Sequence, residues 1–446
     1  MLSWIAYSLP VLKFFDSALS LAFDRSPTGA AFQYTMKRTL FAIGAASLIL
    51  TAAILLSGCG STAAQSIENV KVSTAQAAAD ATGTAAEKTP SATTAATLAA
   101  ADSELFTARD LAQTADLSEA RTLTVSDGET LTITEAGVYI LSGSAENACV
   151  VVDAGDDDKV QLVLDGLSIT NAHTPCILAE NADKVFLTSA EGSENSLAVS
   201  GKFTDDNDAV IFSRDDLVLN GLGTVTVSST ADGIRTSDDL KLTGGAWVVT
   251  ASDTALKAHD SIAASDGVYV LTAGSDGLHA EDNDDDATGS IAIEGGSFTI
   301  KAGDDGVHAT TTATVNGGSL DITAAEGIEA TQVTINGGTV SIRATDDGIN
   351  AGRKSTALSV KIEINGGDIT IVMGAGDTDG IDSNGDLIIT GGTINVSGQS
   401  PFDYDGACTH TGGTIIVNGT ETNSITNQFG GQMSGGMRGG FGGKRP

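Results

Sequence analysis

The chain has 446 residues, a formal net charge of −34 at neutral pH, abundant Gly and only 4% aromatic residues. Such an excess of carboxylates excludes nucleic acid as a partner, because phosphate binding needs clustered Lys and Arg, and it excludes direct attraction to anionic lipid. So few aromatics argue for a core assembled from Val, Ile, Leu and Ala, and carboxylates that coexist in one fold point to hard cations such as calcium, which takes oxygen ligands.

Residues 1–35 include Trp4, Phe14 and Phe15 and stand ahead of a complete secretory signal. They read as an upstream extension absent from the mature protein, with Met36 as the true start; an extra amphipathic membrane segment is the alternative. Met36-Lys37-Arg38, the apolar run Leu40 to Leu56 and Leu56-Ser57-Gly58-Cys59 make a signal over residues 36–58. The cysteine after Leu-Ser-Gly resembles the bacterial lipobox. It predicts lipid attachment at Cys59 and a place on the extracellular face of the bacterial cell membrane, touched only through that lipid. A plain signal peptide is the alternative. A spanning helix is disfavoured, since the apolar run falls short of the usual ~20 residues. Residues 59–103 are mostly Ala, Thr and Ser and predict a tether, because such a segment cannot bury enough surface to offset its ordering entropy. Residues 426–446 are a Gly/Met-rich low-complexity tail with predicted disorder.

Between these tails, over residues 104–425, the chain is periodic. Glu294-Gly295-Gly296-Ser297-Phe298, Asn316-Gly317-Gly318-Ser319-Leu320 and Asn336-Gly337-Gly338-Thr339-Val340 repeat one pattern, which returns at Asn365, Thr390 and Thr411. A second element follows each, as in Asp304-Asp305-Gly306-Val307-His308 and Asp346-Asp347-Gly348-Ile349-Asn350. Its corner glycine falls at 209 (Ala), 233, 255 (Ala), 277, 306, 327, 348, 380 and 406, a base step of 21–24 residues with longer insertions. That spacing is a solenoid signature. It excludes calcium-binding nonapeptide repeats and propeller blades, and the Leu and Asn framework of leucine-rich repeats is missing. Short apolar runs with period two, about three per repeat, predict an all-β fold: a right-handed single-stranded parallel β-helix with about three strands per 21–24-residue coil. The second residue after Gly-Gly should face the core, which assigns Trp247 to the ladder of Phe298, Leu320, Val340, Ile369, Ile394 and Ile415 rather than to a sugar-stacking platform. Glycines should supply positive φ at the corners. Ser118–Ser144 reads as the cap. Cys149, Cys176 and Cys408 lack metal-ligand spacing and read as buried small hydrophobes; a Cys149–Cys176 disulfide is the alternative.

The residue before each corner glycine is acidic in eight of nine copies: Asp208, Asp232, Asp276, Asp305, Glu326, Asp347, Asp379 and Asp405, interrupted by Thr254. Stacked carboxylates raise one another's pKa or recruit a cation. With Asp206, Asp253, Asp304, Asp346, Asp377 and Asp403 one or two places upstream, the aspartates of this column are the expected calcium ligands. The competing reading is an ordinary Asp-Gly turn repeated without metal. Two places after the glycine stand Arg235, Lys257, His279, His308, Glu329, Asn350 and Asp382. Arg235, Lys257, His279 and His308 are the expected carbohydrate contacts, against solvated surface charge as the bland alternative. No catalytic constellation emerges; for a calcium-dependent lyase, Arg235 would be the base, with Lys257 second.

Val160-Gln161-Leu162-Val163-Leu164-Asp165-Gly166, Glu191-Gly192-Ser193-Glu194-Asn195, Asp208-Ala209-Val210-Ile211-Phe212-Ser213 and Ser237-Asp238-Asp239-Leu240 resemble the clostridial carbohydrate-binding β-helix proteins, over roughly Leu117 to Val417. The resemblance implies a β-helix related in shape to pectate lyases, bound calcium, and affinity for cellulose or polygalacturonate-like chains without a need for catalysis. The expectation is a monomeric, non-catalytic, calcium-stabilised polysaccharide-binding lipoprotein. A pectate-type lyase is the first alternative and a structural or adhesive surface solenoid the second.

Overall fold

The structure is a computed structural model that describes residues 105–204, 206–375 and 378–427. The upstream extension, the signal with Cys59, the tether, Asp377 and the tail beyond residue 427 lie outside the described residues. Among the described residues every element is a strand, from Arg121–Thr124 to Thr420–Thr422, and these join in one sheet. All pairs are parallel but one.

The pairing follows the repeat. The strand after each Gly-Gly pairs in register with its equivalent in the next repeat: Thr224–Ser229 with Ala246–Ala251, then Val268–Thr272, then Ser297–Lys301. The strand after each Asp-Gly does the same, from Asp232–Thr236 to Leu256–Ala258 and Leu278–Ala280. So does the strand before each Gly-Gly, from Leu240–Leu242 to Ser261–Ala264 and Ser290–Ile293. Three columns of strands therefore run through the repeats, an arrangement compatible with a solenoid. Upstream, where the corners lose their Asp-Gly signal, single long strands serve two columns: Gly137–Glu146 pairs with Lys159–Asn171 on both sides of an irregularity at Leu141/Gly143. Ser118–Ser144, expected as the cap, carries strands paired with those that follow it.

Side chains alternate in and out. Trp247 stacks in register on Tyr269, Phe298, Leu320, Val340, Ile369, Ile394 and Ile415, all buried. The Tyr269 and Phe298 rings lie 4.8 Å apart and nearly parallel. The Trp247 indole N–H donates to the Gly244 carbonyl at 3.0 Å, so the polar edge of this core residue is satisfied. The residues heading the Gly-Gly turns form an outer ladder: Asn365 donates to Asn336, Asn336 to Asn316 and Asn316 to Glu294, at 2.9, 2.7 and 2.6 Å.

The two kinds of glycine serve different ends. The second of each Gly-Gly pair has positive φ, as at Gly318 (+78°) and Gly338 (+83°). The corner glycines after Asp do not; at Gly348 a β-carbon would strike the Gly380 carbonyl and Ile371 of the next repeat. The expectation of positive φ at the corners is corrected to a requirement for close approach.

Two further features frame the ladder. A segment ahead of the first strand docks sideways on the sheet. The Gln113 amide donates to the Thr243 carbonyl (2.7 Å) and accepts from the Gly221 N–H (3.1 Å). Asp110, fully buried, faces Lys184 and Lys241 at 3.6 and 3.9 Å, and Arg109 lies 4.4 Å over the Phe186 ring. At the other end, Asn418 and Gly419, both at positive φ, reverse Thr414–Val417 into the antiparallel strand Thr420–Thr422. An Asn-Gly pair is the expected sequence for so tight a hairpin. Cys176 keeps a free thiol deep in the core, and burial pushes its pKa up to about 12, so the disulfide alternative is not formed.

Candidate functional site

The strand after each Asp-Gly places one outward residue per repeat in a continuous file. In register these are Phe212, Arg235, Lys257, His279, His308, Glu329, Asn350, Asp382 and Asp403. Strand spacing sets successive members about 4.8 Å apart. The file is cationic or imidazole at one end and acidic at the other.

Beside it runs the corner file, with two corrections to the sequence reading. Asp232 is in register with Ala209, not with Asp208, so the first copy is offset by one residue. Asp379 is in register with Ser400, so Asp405 falls outside the file and Asp403 joins the outward one. Both errors have one cause: a corner was located by its glycine, and Val210 and Pro401 hold the corner where no glycine marks it. Asp304, Asp346 and Asp405 are exposed beside the files.

The corner carboxylates have a structural task. The Asp232 Oδ1 accepts the Thr254 N–H at 3.1 Å, Asp276 Oδ1 the Asp305 N–H at 3.0 Å, and Asp347 Oδ1 the Asp379 N–H at 3.1 Å. Meanwhile the glycine N–H of one repeat donates to the corner carbonyl of the next, as from Gly277 to Asp305. The Thr254, Asp305 and Asp379 corner amides are thus capped by the side chain one repeat earlier. An unsatisfied amide there would cost about 1–3 kcal/mol. Repeated Asp is needed for this even where no cation binds.

The second carboxylate oxygen faces the outward file, and here the two ends differ. Arg235 donates to Asp208 Oδ1 at 2.7 Å, and Lys257 lies 3.8 Å from Asp232 Oδ2. Burial nevertheless raises the Asp232 pKa. His279 Nδ1 meets Asp276 Oδ2 at 2.7 Å while its Nε2 meets Glu281 at 3.2 Å. Burial pushes Asp276 up, but the His279 ring and the Asp305 amide outweigh it and hold the carboxyl below its usual value. His308 Nδ1 meets Asp305 Oδ2 at 2.6 Å and Glu329 Oε2 at 3.1 Å. Glu329 is further held by Lys354 Nζ at 2.7 Å. The two imidazoles stack at 4.6 Å.

Beyond Glu329 the compensation ends. Among the described residues no Lys, Arg or His pairs with Asp347, Asp382 or Asp403. Burial, then the neighbouring Asp347, Asp403, Asp379 and Asp405, push Asp382 up to about 7. Burial and the carboxylates of Asp346, Asp379 and Glu329 push Asp347 up to about 6. Asp232, Asp276 and Asp305, by contrast, already accept from protein donors. Of the expected calcium ligands, Asp347 and Asp379 lie here beside Asp382, which stood only in the outward file, and Asp403, which stood among the upstream carboxylates.

Repetitive parallel β-structure bearing one outward side chain per repeat is the class of surface that these strands define. Residues 127–378 match the model of the carbohydrate-binding domain-containing protein family, and the chain belongs to that family. A carbohydrate-binding domain-containing protein of Acetivibrio thermocellus is 40% identical over 125 residues, 26% of this chain and 44% of that protein, so the chain spans less than half of its relative's length. A solved structure, of a polysaccharide lyase-like protein from C. thermocellum in its gadolinium derivative, is 30% identical over 47% of this chain and 93% of the other, with a TM-score of 0.45.

Proposed function

We propose that the chain is a right-handed parallel β-helix that binds a polysaccharide without cleaving it, along the outward file from Arg235 to Asp403. The observation that carries this reading is the register itself, which repeats one polar side chain per strand over many strands. A repeating surface suits a repeating ligand, and family membership supplies the carbohydrate. Arg235 and Lys257 would meet acidic groups of a pectic chain directly. Calcium held by Asp347, Asp379, Asp382 and Asp403 would bridge such groups at the other end. His279 and His308 lie between. With lipid on Cys59, the chain would present this face outside the cell as a monomer.

The test is retention on polygalacturonate gel and on cellulose, with calcium and with EDTA. Wild-type protein should be retained on at least one, and the Arg235→Ala/Lys257→Ala double variant should lose most retention on the acidic polymer. Retention that is unchanged in the double variant and in EDTA would remove the file from the reading. Release of unsaturated, ultraviolet-absorbing products would instead favour the lyase, with Arg235 as base and Lys257 second.

A further inference from the structure

The two stacked histidines of the outward file are not equivalent. His279 meets its carboxylates through different nitrogens, Asp276 at Nδ1 and Glu281 at Nε2. Each nitrogen then has one partner. His308 meets both of its carboxylates, Asp305 Oδ2 and Glu329 Oε2, at the single atom Nδ1. One N–H serves two acceptors there. The three donor atoms lie within 4.8 Å of one another, on buried Asp305 and Glu329 and a His308 side chain only 12% exposed.

We propose that Asp305, His308 and Glu329 form a binding site for a divalent transition-metal ion of the zinc class. Zinc bonds of about 2.0–2.2 Å to nitrogen and oxygen set the ligand atoms of a tetrahedral site somewhat over 3 Å apart, so small outward turns of the carboxylates suffice. The imidazole nitrogen selects against calcium, which takes oxygen, and for zinc, copper or nickel. Two arms are already braced. The Asp305 backbone is tied by its N–H to Asp276 Oδ1 at 3.0 Å, and Glu329 Oε1 accepts from Lys354 Nζ at 2.7 Å. Such outer contacts orient metal-binding carboxylates. A solvent molecule would complete four-fold coordination, leaving a ligand position that opens onto the file. Two cation chemistries would then sit on one strip, with a mixed nitrogen–oxygen site here and the all-oxygen cluster beyond Asn350. The site does not depend on any polysaccharide.

The experiment is calorimetric titration of zinc chloride into the whole chain, in buffer holding millimolar calcium, with cobalt(II) absorption as a second readout of nitrogen ligation. The expected result is one zinc per chain that calcium does not displace. His308→Gln and Glu329→Gln should each weaken it by more than about 100-fold, beyond the 10–100-fold usual for outer contacts. His279→Gln should retain it, and circular dichroism checks that each variant is folded. No zinc uptake by wild-type protein would overturn the proposal. So would equal losses in the His279 and His308 variants, or displacement by calcium.

Discussion

The repeats from Asp232 to Ala309 and those from Ser319 to Tyr404 share one pattern of strand pairing but differ inside and out. In the first region the core ladder is aromatic, through Trp247, Tyr269 and Phe298, and the outward file supplies Arg235, Lys257 and two histidines to the corner carboxylates. In the second the ladder is aliphatic, through Leu320, Val340, Ile369 and Ile394, and the carboxylates face one another. The corner amide demands an acceptor in both regions; nothing in the backbone demands a cation. Charge compensation is left to the outward residue, so the chemistry of the file can vary while the fold does not.

The comparison breaks most readily at the core. Trp247→Ala is expected to cost about 3–5 kcal/mol, and Ile369→Ala about 2–5 kcal/mol, in urea unfolding. A loss under about 1 kcal/mol at Trp247 would mean that the aromatic ladder is not what holds the first region. Calcium sharpens the contrast between the files. At a hundredfold excess over its dissociation constant, calcium should stabilise the wild-type protein by about 2.7 kcal/mol. Asp382→Asn should abolish most of that gain and, in EDTA, leave the protein at least as stable as wild type, because it removes a repelled charge. An unchanged melting temperature on adding EDTA to the calcium-loaded protein would dismiss structural calcium. Asp276→Ala should do the opposite, costing about 1–3 kcal/mol with or without calcium, because it strips the Asp305 amide of its acceptor.

The smallest effect concerns Asp238, whose carboxyl burial and the nearby Asp216, Asp239 and Asp260 raise to about 6. A raised acid favours the neutral form in the folded state. Its contribution is therefore present below the unfolded value of 3.8 and lost as pH rises through about 6. Asp238→Asn should flatten stability across that window relative to wild type. A variant whose pH profile overlays the wild-type curve would show that Asp238 titrates normally.

Much of this was legible in the residues because a stacked repeat writes its geometry into the sequence. The Gly-Gly turns located the inward ladder, and Trp247 was placed in the core by position alone. What failed did so where the signal was indirect. Counting by glycines misplaced Asp208 and Asp405, since a corner can be held by Val210 or Pro401. The amide-capping task of Asp232, Asp276 and Asp347 depends on which N–H lacks an acceptor, which only pairing reveals. Glu329 stood in the outward file but was passed over, because its convergence with Asp305 on one nitrogen is a matter of ångströms. The docking of Asp110 and Gln113 onto Thr243 joins residues 130 or more apart in sequence and leaves no periodic trace.

The reversed strand Thr420–Thr422 has a consequence for growth. A stack of in-register parallel strands ends in unpaired backbone groups, and another copy of the chain is the natural template-matched recruit for such an edge. Pairing Thr414–Val417 with a strand running the other way spends those groups on a partner whose far side presents the wrong polarity for parallel addition. Asn427 helps at the neighbouring column, where its amide donates to the Tyr404 carbonyl at 2.6 Å. The hairpin thus covers the edge of that one column, which a parallel strand of a second copy would otherwise extend.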